Sequence, residues 1–180
     1  MTPSREKFDL DDLVTRLRTA AKGNDPRAAI KTILEDAVKD PQHVQDGIPT
    51  FEDNDTILFE DDTVSIWHCR FMPGYSVPAH DHQMFATIGV YRGAERNDFF
   101  ENNPNGGIRK SSEVKLSAGQ VLAIGPSAIH AVGCASIEPC CGIHVYLGAL
   151  TTVDRSLFDT TDNAVLKFTD ENYQRLISTD

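Results

Sequence analysis

Gly74-Tyr-Ser-Val-Pro-Ala-His80-Asp81-His82 closes one apolar run and is followed by a second, Phe85 to Tyr91. In an extended strand, residues i and i+2 point to the same face, so the imidazoles of His80 and His82 can reach a single ion with no turn between them. A second stretch, Gly119-Gln-Val-Leu-Ala-Ile-Gly-Pro-Ser-Ala-Ile-His130, sets a short apolar strand and the turn Gly125-Pro126-Ser127 ahead of a third histidine. A ligand pair from one segment and a third ligand from a distant one is what the interior of a β-barrel can supply.

The texture around these segments agrees. From Ile48 onward, short apolar runs follow one another: Ile57–Phe59, Val64–Phe71, Phe85–Tyr91, Val114–Leu116, Val121–Ile124 and Cys141–Leu147. Asp61-Asp62, Met72-Pro73-Gly74, the run Asn102 to Gly107, and Ala118-Gly119 separate them. Many short strands between regular turn signals predict a mainly β sandwich or closed barrel over residues 49–180. Residues 1–48 instead predict a helical cover. Leu10, Val14, Leu17 and Ala21 recur at helical spacing, and Gly23-Asn24-Asp25-Pro26 breaks that helix. Asp25 as cap and Pro26 at the first position open a second helix running to about Lys39, which Pro41 ends. A last helix is expected near Glu171–Ile177, capped by Thr169 or Asp170.

Composition narrows the function classes. A chain of 180 residues reads as one domain, long enough to bury roughly 70% of its unfolded surface. The net charge of −10 argues against nucleic acid and anionic membrane surfaces as partners. No stretch is apolar enough to span a membrane, and the first residues lack the apolar segment of a signal peptide, so a cytoplasmic location is expected. Cys69, Cys134, Cys140 and Cys141 show no C-x-x-C spacing and read as free, mostly buried thiols.

Gly74-x5-His80-x-His82, Gly93 after a strand, and Gly119-x10-His130 together resemble the two metal-binding motifs of the cupin superfamily, whose fold is a double-stranded β-helix, or jelly roll. The glutamate ligand that usually follows the His-x-His pair by four or five residues is replaced here by Ala86 and Thr87, which leaves three imidazoles and no carboxylate. That ligand set is similar to the cysteine dioxygenase (thiol dioxygenase) family. Ile129-His130-Ala131-Val132 followed by Ile143-His144-Val145-Tyr146 resembles the family's segment with a histidine behind a catalytic tyrosine. The match covers roughly residues 64 to 148. The family's serine, two positions before that histidine, is Gly142 here. No cysteine follows the His-x-His pair to cross-link the tyrosine, and the stretch Asn54–Phe59 has no arginine to hold a substrate carboxylate.

The resemblance implies a ferrous iron, Fe(2+), held by His80, His82 and His130, with Tyr146 and His144 as catalytic residues. The implied reaction oxidises the sulfur of a small thiol, of cysteine or mercaptocarboxylate type, to a sulfinate with O2. Three neutral imidazoles leave the site with charge +2, which favours a thiolate ligand, and an octahedral ion keeps positions free for it and for dioxygen. The expected partners are thus the thiol and O2, with no nucleic acid and no membrane, in a monomer or homodimer. Two other readings stand beside it: a metal-dependent isomerase, lyase or hydrolase using Zn²⁺, Ni²⁺ or Mn²⁺, and a small-molecule-binding cupin. Arg70 and Arg96 are the nearest basic residues for a substrate carboxylate, although each fits a surface ion pair equally well. Alternation along Val64–Phe71 puts Cys69 and Phe71 on one face and His68 on the other, and the resemblance implies that Cys69 and Phe71 turn toward the pocket and His68 to the outer face. Met84 reads as core, and His43 as a surface residue in a polar stretch.

Overall fold

The computed structural model describes residues 7–177. Eleven strands form two antiparallel sheets. In chain order they are β1 (Asp55–Glu60), β2 (Ser65–Phe71), β3 (Ser76–His80), β4 (Ala86–Arg92), β5 (Ala94–Asn102), β6 (Ile108–Ser117), β7 (Val121–Ile124), β8 (Ile129–Cys134), β9 (Cys140–Tyr146), β10 (Ser156–Asp159) and β11 (Ala164–Lys167). The sheets run β1-β2-β9-β4-β7 and β11-β10-β3-β8-β5-β6. Within them the eight strands β2 to β9 fold back on themselves in two interleaved sets, β2-β9-β4-β7 and β3-β8-β5-β6. That order is a jelly roll, and the chain is a double-stranded β-helix. β1 widens the first sheet, while β10 and β11 widen the second.

Three helices precede the strands: α1 (Leu10–Ala21), α2 (Pro26–Val38) and α3 (Pro41–Gly47). Each is started by an aspartate whose side chain accepts a backbone N–H three residues on: Asp9 from Asp12, Asp25 from Ala28, and Asp40 from His43. Pro41 therefore does more than stop α2. With Asp40 as cap and its own ring pre-set for the first helical position, it opens a third helix where the sequence reading expects only a polar stretch. His43 lies in α3, its ring edge-on to Phe8 at 6.0 Å. Near the other end, α4 (Asp170–Ile177) is capped by Thr169, whose hydroxyl accepts the Asn172 N–H at 3.2 Å.

The apolar stripes of the helices, Leu13 and Leu17 with Ile30, Leu34 and Val38, pack on the outer face of the first sheet against Ile66, Tyr91, Ile143 and Val145. This explains the apolar run Cys141–Leu147: all seven residues of β9 are buried, because it has helices behind it and the barrel interior in front. The inner face of β2 and β9 carries Trp67, Cys69, Phe71, His144 and Tyr146, which face Val77, His80, His130 and Val132 of the other sheet across a cavity. His68 turns outward, where its Nε2 lies 2.7 Å from the Tyr91 hydroxyl and Phe51 stacks on its ring.

Candidate metal centre

β3 and β8 pair antiparallel with His80 directly opposite His130, so two imidazoles far apart in sequence become cross-strand neighbours. β3 ends at His80. His82 lies just beyond it, ahead of Gln83, whose backbone is left-handed (φ 58°). The pair therefore does not sit within one strand, yet both rings turn into the cavity. The His80 and His82 Nε2 atoms are 3.1 Å apart, those of His130 and His82 are 3.4 Å apart, and all three ligand atoms lie within 4.8 Å of one another.

The hydrogen bonds around the rings determine where the lone pairs point. His80 Nδ1 lies 2.8 Å from the Pro78 carbonyl oxygen, which can only accept, so Nδ1 carries the proton and Nε2 a bare lone pair. His130 Nδ1 donates likewise to Asn97 Oδ1 at 2.8 Å, leaving its Nε2 bare. His82 Nδ1 is buried with no hydrogen-bond partner among the described residues. Three ring nitrogens, at least two of them bare, thus crowd one point. Nitrogens bound at about 2.1 Å from a common ion, at angles between about 90° and 110°, stand roughly 3.0–3.4 Å apart, so the donor set fits a divalent metal. Burial pulls the pKa of all three rings down, to about 4 for His130 and well below the ordinary value for His80 and His82. They are neutral at physiological pH, as metal ligands must be.

Behind the ligands runs a chain of buried polar groups. The Tyr146 hydroxyl is 3.4 Å from His144 Nδ1, and His144 Nε2 is 3.0 Å from Glu95 Oε2. Glu95 Oε1 accepts from Asn97 Nδ2 at 2.8 Å, and Asn97 returns to His130. His144 and Tyr146 alternate on β9 and both line the cavity; the Tyr146 ring centroid lies 4.9 Å from that of His82. Burial raises the Tyr146 phenol far above its ordinary value, which keeps the O–H a donor. The missing serine also has a steric reason. A Cβ at Gly142 would stand 3.0 Å from the Gly89 carbonyl on the neighbouring strand, and the partner of His144 comes instead from β5.

Two charged groups flank the metal face. Arg155 lines the cavity with its guanidinium 3.6 Å above the Phe168 ring, and Phe168 in turn packs edge-on to His80. It is placed by Asp81, which turns away from the ligands: Asp81 Oδ1 accepts the Ser156 N–H at 2.8 Å and clamps the start of β10 to the end of β3. Burial lowers the Arg155 pKa, opposed by Tyr146, Asp81 and Asp55. Asp55 stands opposite Cys69 in the β1–β2 register. As a residue it is open to solvent, but its carboxyl reaches among the cavity side chains, and the protein around it raises its pKa against a hydrogen bond from Cys69. Among the described residues, neither Asp55 nor Arg155 forms an ion pair.

Arg70 and Arg96, the basic candidates in the sequence, are elsewhere. Arg70 donates to the Glu52 carbonyl at 2.8 Å on the outer face, and Arg96 pairs with Asp98 at 3.3 Å. Met84 packs in the core with Ile88 and Tyr146. Glu95, Asn97, Asp55 and Arg155 escaped the sequence reading. Only the period-two spacing of Glu95, Asn97 and Phe99 after Gly93 marks an inward face there, and nothing in the chain pattern points to Arg155.

No protein-family model matches the chain, and no curated protein is significantly similar to it. Among solved structures, the fold is similar to a double-stranded β-helix protein from Klebsiella pneumoniae, with 16% identity, TM-score 0.49, and coverage of 65% of this chain and 95% of that one. It is also similar to a cupin superfamily protein from Desulfitobacterium hafniense, with 18% identity, TM-score 0.44, and coverage of 61% and 87%. A cupin-like protein from Thermotoga maritima shows 18% identity, TM-score 0.44, and coverage of 70% and 85%. These descriptions name the cupin fold and no activity.

Proposed function

We propose that this chain is an Fe(II)-dependent dioxygenase that converts a small thiol to its sulfinate. The observation that carries the reading is a face of three neutral imidazoles, without a carboxylate, set beside a hydroxyl donor and an unpaired guanidinium. In the overall reaction, R–SH and O2 give R–SO2⁻ and H⁺. Both oxygen atoms end on sulfur, which loses four electrons as dioxygen gains four. Ferrous iron, held by His80, His82 and His130, would supply the redox chemistry that joins a thiol to dioxygen.

The protein's own groups select and orient. Arg155 is the one cationic side chain lining the cavity among the described residues, and it matches a carboxylate on the substrate's far end. Asp55 offers an acceptor for an amine on the same molecule. The Trp67 Nε1–H, at the cavity wall, has no partner among the described residues and is a further donor for a substrate oxygen. The cavity is small, about 60 Å³, and favours substrates of the size of cysteine, 3-mercaptopropionate or cysteamine. Tyr146 donates its proton toward the reacting oxygens and is oriented by His144.

Oxygen uptake by the iron-loaded protein with these three thiols tests the reading; sulfinate formed with at least one supports it, and no uptake across a broad thiol panel sinks it. Arg155→Met is expected to raise KM for the two carboxylated thiols about tenfold to hundredfold, the worth of a charged hydrogen bond, while leaving cysteamine unaffected. An equal change for all three would remove Arg155 from carboxylate binding. Tyr146→Phe is expected to retain metal affinity and lower kcat about tenfold to hundredfold. An unchanged kcat would take the hydroxyl out of the reaction.

A further inference from the structure

We propose that Glu95 is a positioning residue that couples the Tyr146 hydroxyl to the metal face, by dictating the hydrogen-bond polarity of His144 on one side and of Asn97 and His130 on the other. Glu95 and Asn97 are buried on the inner face of β5, two residues apart, and both are fully enclosed although neither touches the cavity. A carboxylate can only accept. Its Oε2 therefore requires the proton on His144 Nε2, and its Oε1 requires the amide nitrogen of Asn97. Each requirement propagates. With its amide nitrogen committed, Asn97 can present only its oxygen to His130, which puts the His130 proton on Nδ1 and frees Nε2 to ligate. With the single ring proton of His144 placed on Nε2, its Nδ1 is bare, and Tyr146 must point its O–H there when no substrate takes it. One buried carboxylate thus sets the direction of the tyrosine's hydrogen bond and, through Asn97, matches the His130 tautomer that a metal requires. Such partners behind a ligand typically alter metal affinity or activity tenfold to hundredfold, roughly, when removed.

Glu95→Gln keeps the shape and breaks the logic. In the metal-loaded protein His130 Nε2 is held by the ion, so its Nδ1 stays protonated and Asn97 stays oriented. The new amide must then turn its oxygen to Asn97 and its NH2 to His144. His144 Nε2 has to become the acceptor and Nδ1 the donor, so Tyr146 receives a hydrogen bond it formerly gave.

The inference rests on the metal site of the proposed function but not on the reaction, so the test uses zinc, which is diamagnetic and forms no sulfinate. Zinc stoichiometry is measured first, and then the ¹⁵N shifts of labelled histidines. The expected wild-type spectrum has His144 protonated at Nε2 and His130 at Nδ1; Glu95→Gln moves the His144 proton to Nδ1 and leaves His130 unchanged. A wild-type His144 bare at Nε2 overturns the proposal even where the variant does not fold. A variant that binds zinc and keeps His144 Nε2 protonated also overturns it while leaving the metal site intact. A wild-type chain that binds no zinc removes the metal site, and with it the pinning of His130 on which the bridge depends.

Discussion

His80→Ala abolishes metal retention at micromolar protein. Zinc affinities of about 10–16 kcal/mol for four-ligand sites put each ligand at roughly 3–4 kcal/mol, so losing one of three costs about a thousandfold. The effect is specific to the site. Outside the metal face, the His80 ring bonds only to its own strand through Pro78 and packs edge-on to Phe168, so the variant is expected to retain the barrel. The discriminating measurement is thermal unfolding with and without zinc. A ligand at a thousand times its Kd stabilises the folded state by about 4 kcal/mol, and a thousandfold loss of affinity cancels most of that. Wild type is expected to shift upward on adding zinc and His80→Ala to stay where it is. An undiminished shift in the variant would show that the ion sits elsewhere.

The metal-free protein is expected to lose stability steeply in mild acid. Burial first, then neighbouring charges, holds the folded-state pKa of His80, His82 and His130 below the ordinary histidine value. The unfolded chain therefore binds more protons below about pH 6.5, and stability falls as pH falls. For His130, 6.5 against about 4 amounts to about 3 kcal/mol in full, of which about 2 kcal/mol is lost between about pH 7.5 and pH 5. His80 and His82 act in the same direction, as does His68 on the outer face, lowered to about 4 mainly by its burial. Against a total of about 5–15 kcal/mol for a domain, the combined effect removes a large share. Urea unfolding of the metal-free chain at the two pH values checks this: the midpoint drops while the denaturant slope holds. Coincident midpoints would mean the imidazoles protonate in the folded state.

The sequence reading succeeds and fails for identifiable reasons. Strands that carry an apolar face are legible: Val121–Ile124 coincides with β7, and the runs around β2, β4 and β9 lie within two residues of the strands. β5 is not, and β6 shows only its end at Val114–Leu116, because their side chains are largely polar. Their pairing rests on backbone hydrogen bonds and on the register Ala94↔Ser117 to Asn102↔Ile108, which no local pattern announces. β5 is also where Glu95 and Asn97 hide, polar residues alternating with the charged Arg96 and Asp98. The aspartate before Pro41 carried the signal for α3, since it repeats the Asp25-Pro26 pair that starts α2.

The chain alone determined the three imidazoles and their lack of a carboxylate partner, since ligand type and spacing are properties of residues close in sequence. It also determined that Cys69 and Phe71 share one face of their strand and His68 the other, because a strand has a period of two wherever it lies. Only the folded molecule decided that His130 faces His80 across β3 and β8, that β5 supplies the partner of His144, and that Asp81 anchors Ser156, next to Arg155, at the start of β10. Those are cross-strand contacts between residues 33 to 75 positions apart. Strand register sets them, and register is fixed by the whole barrel closing, not by any one segment.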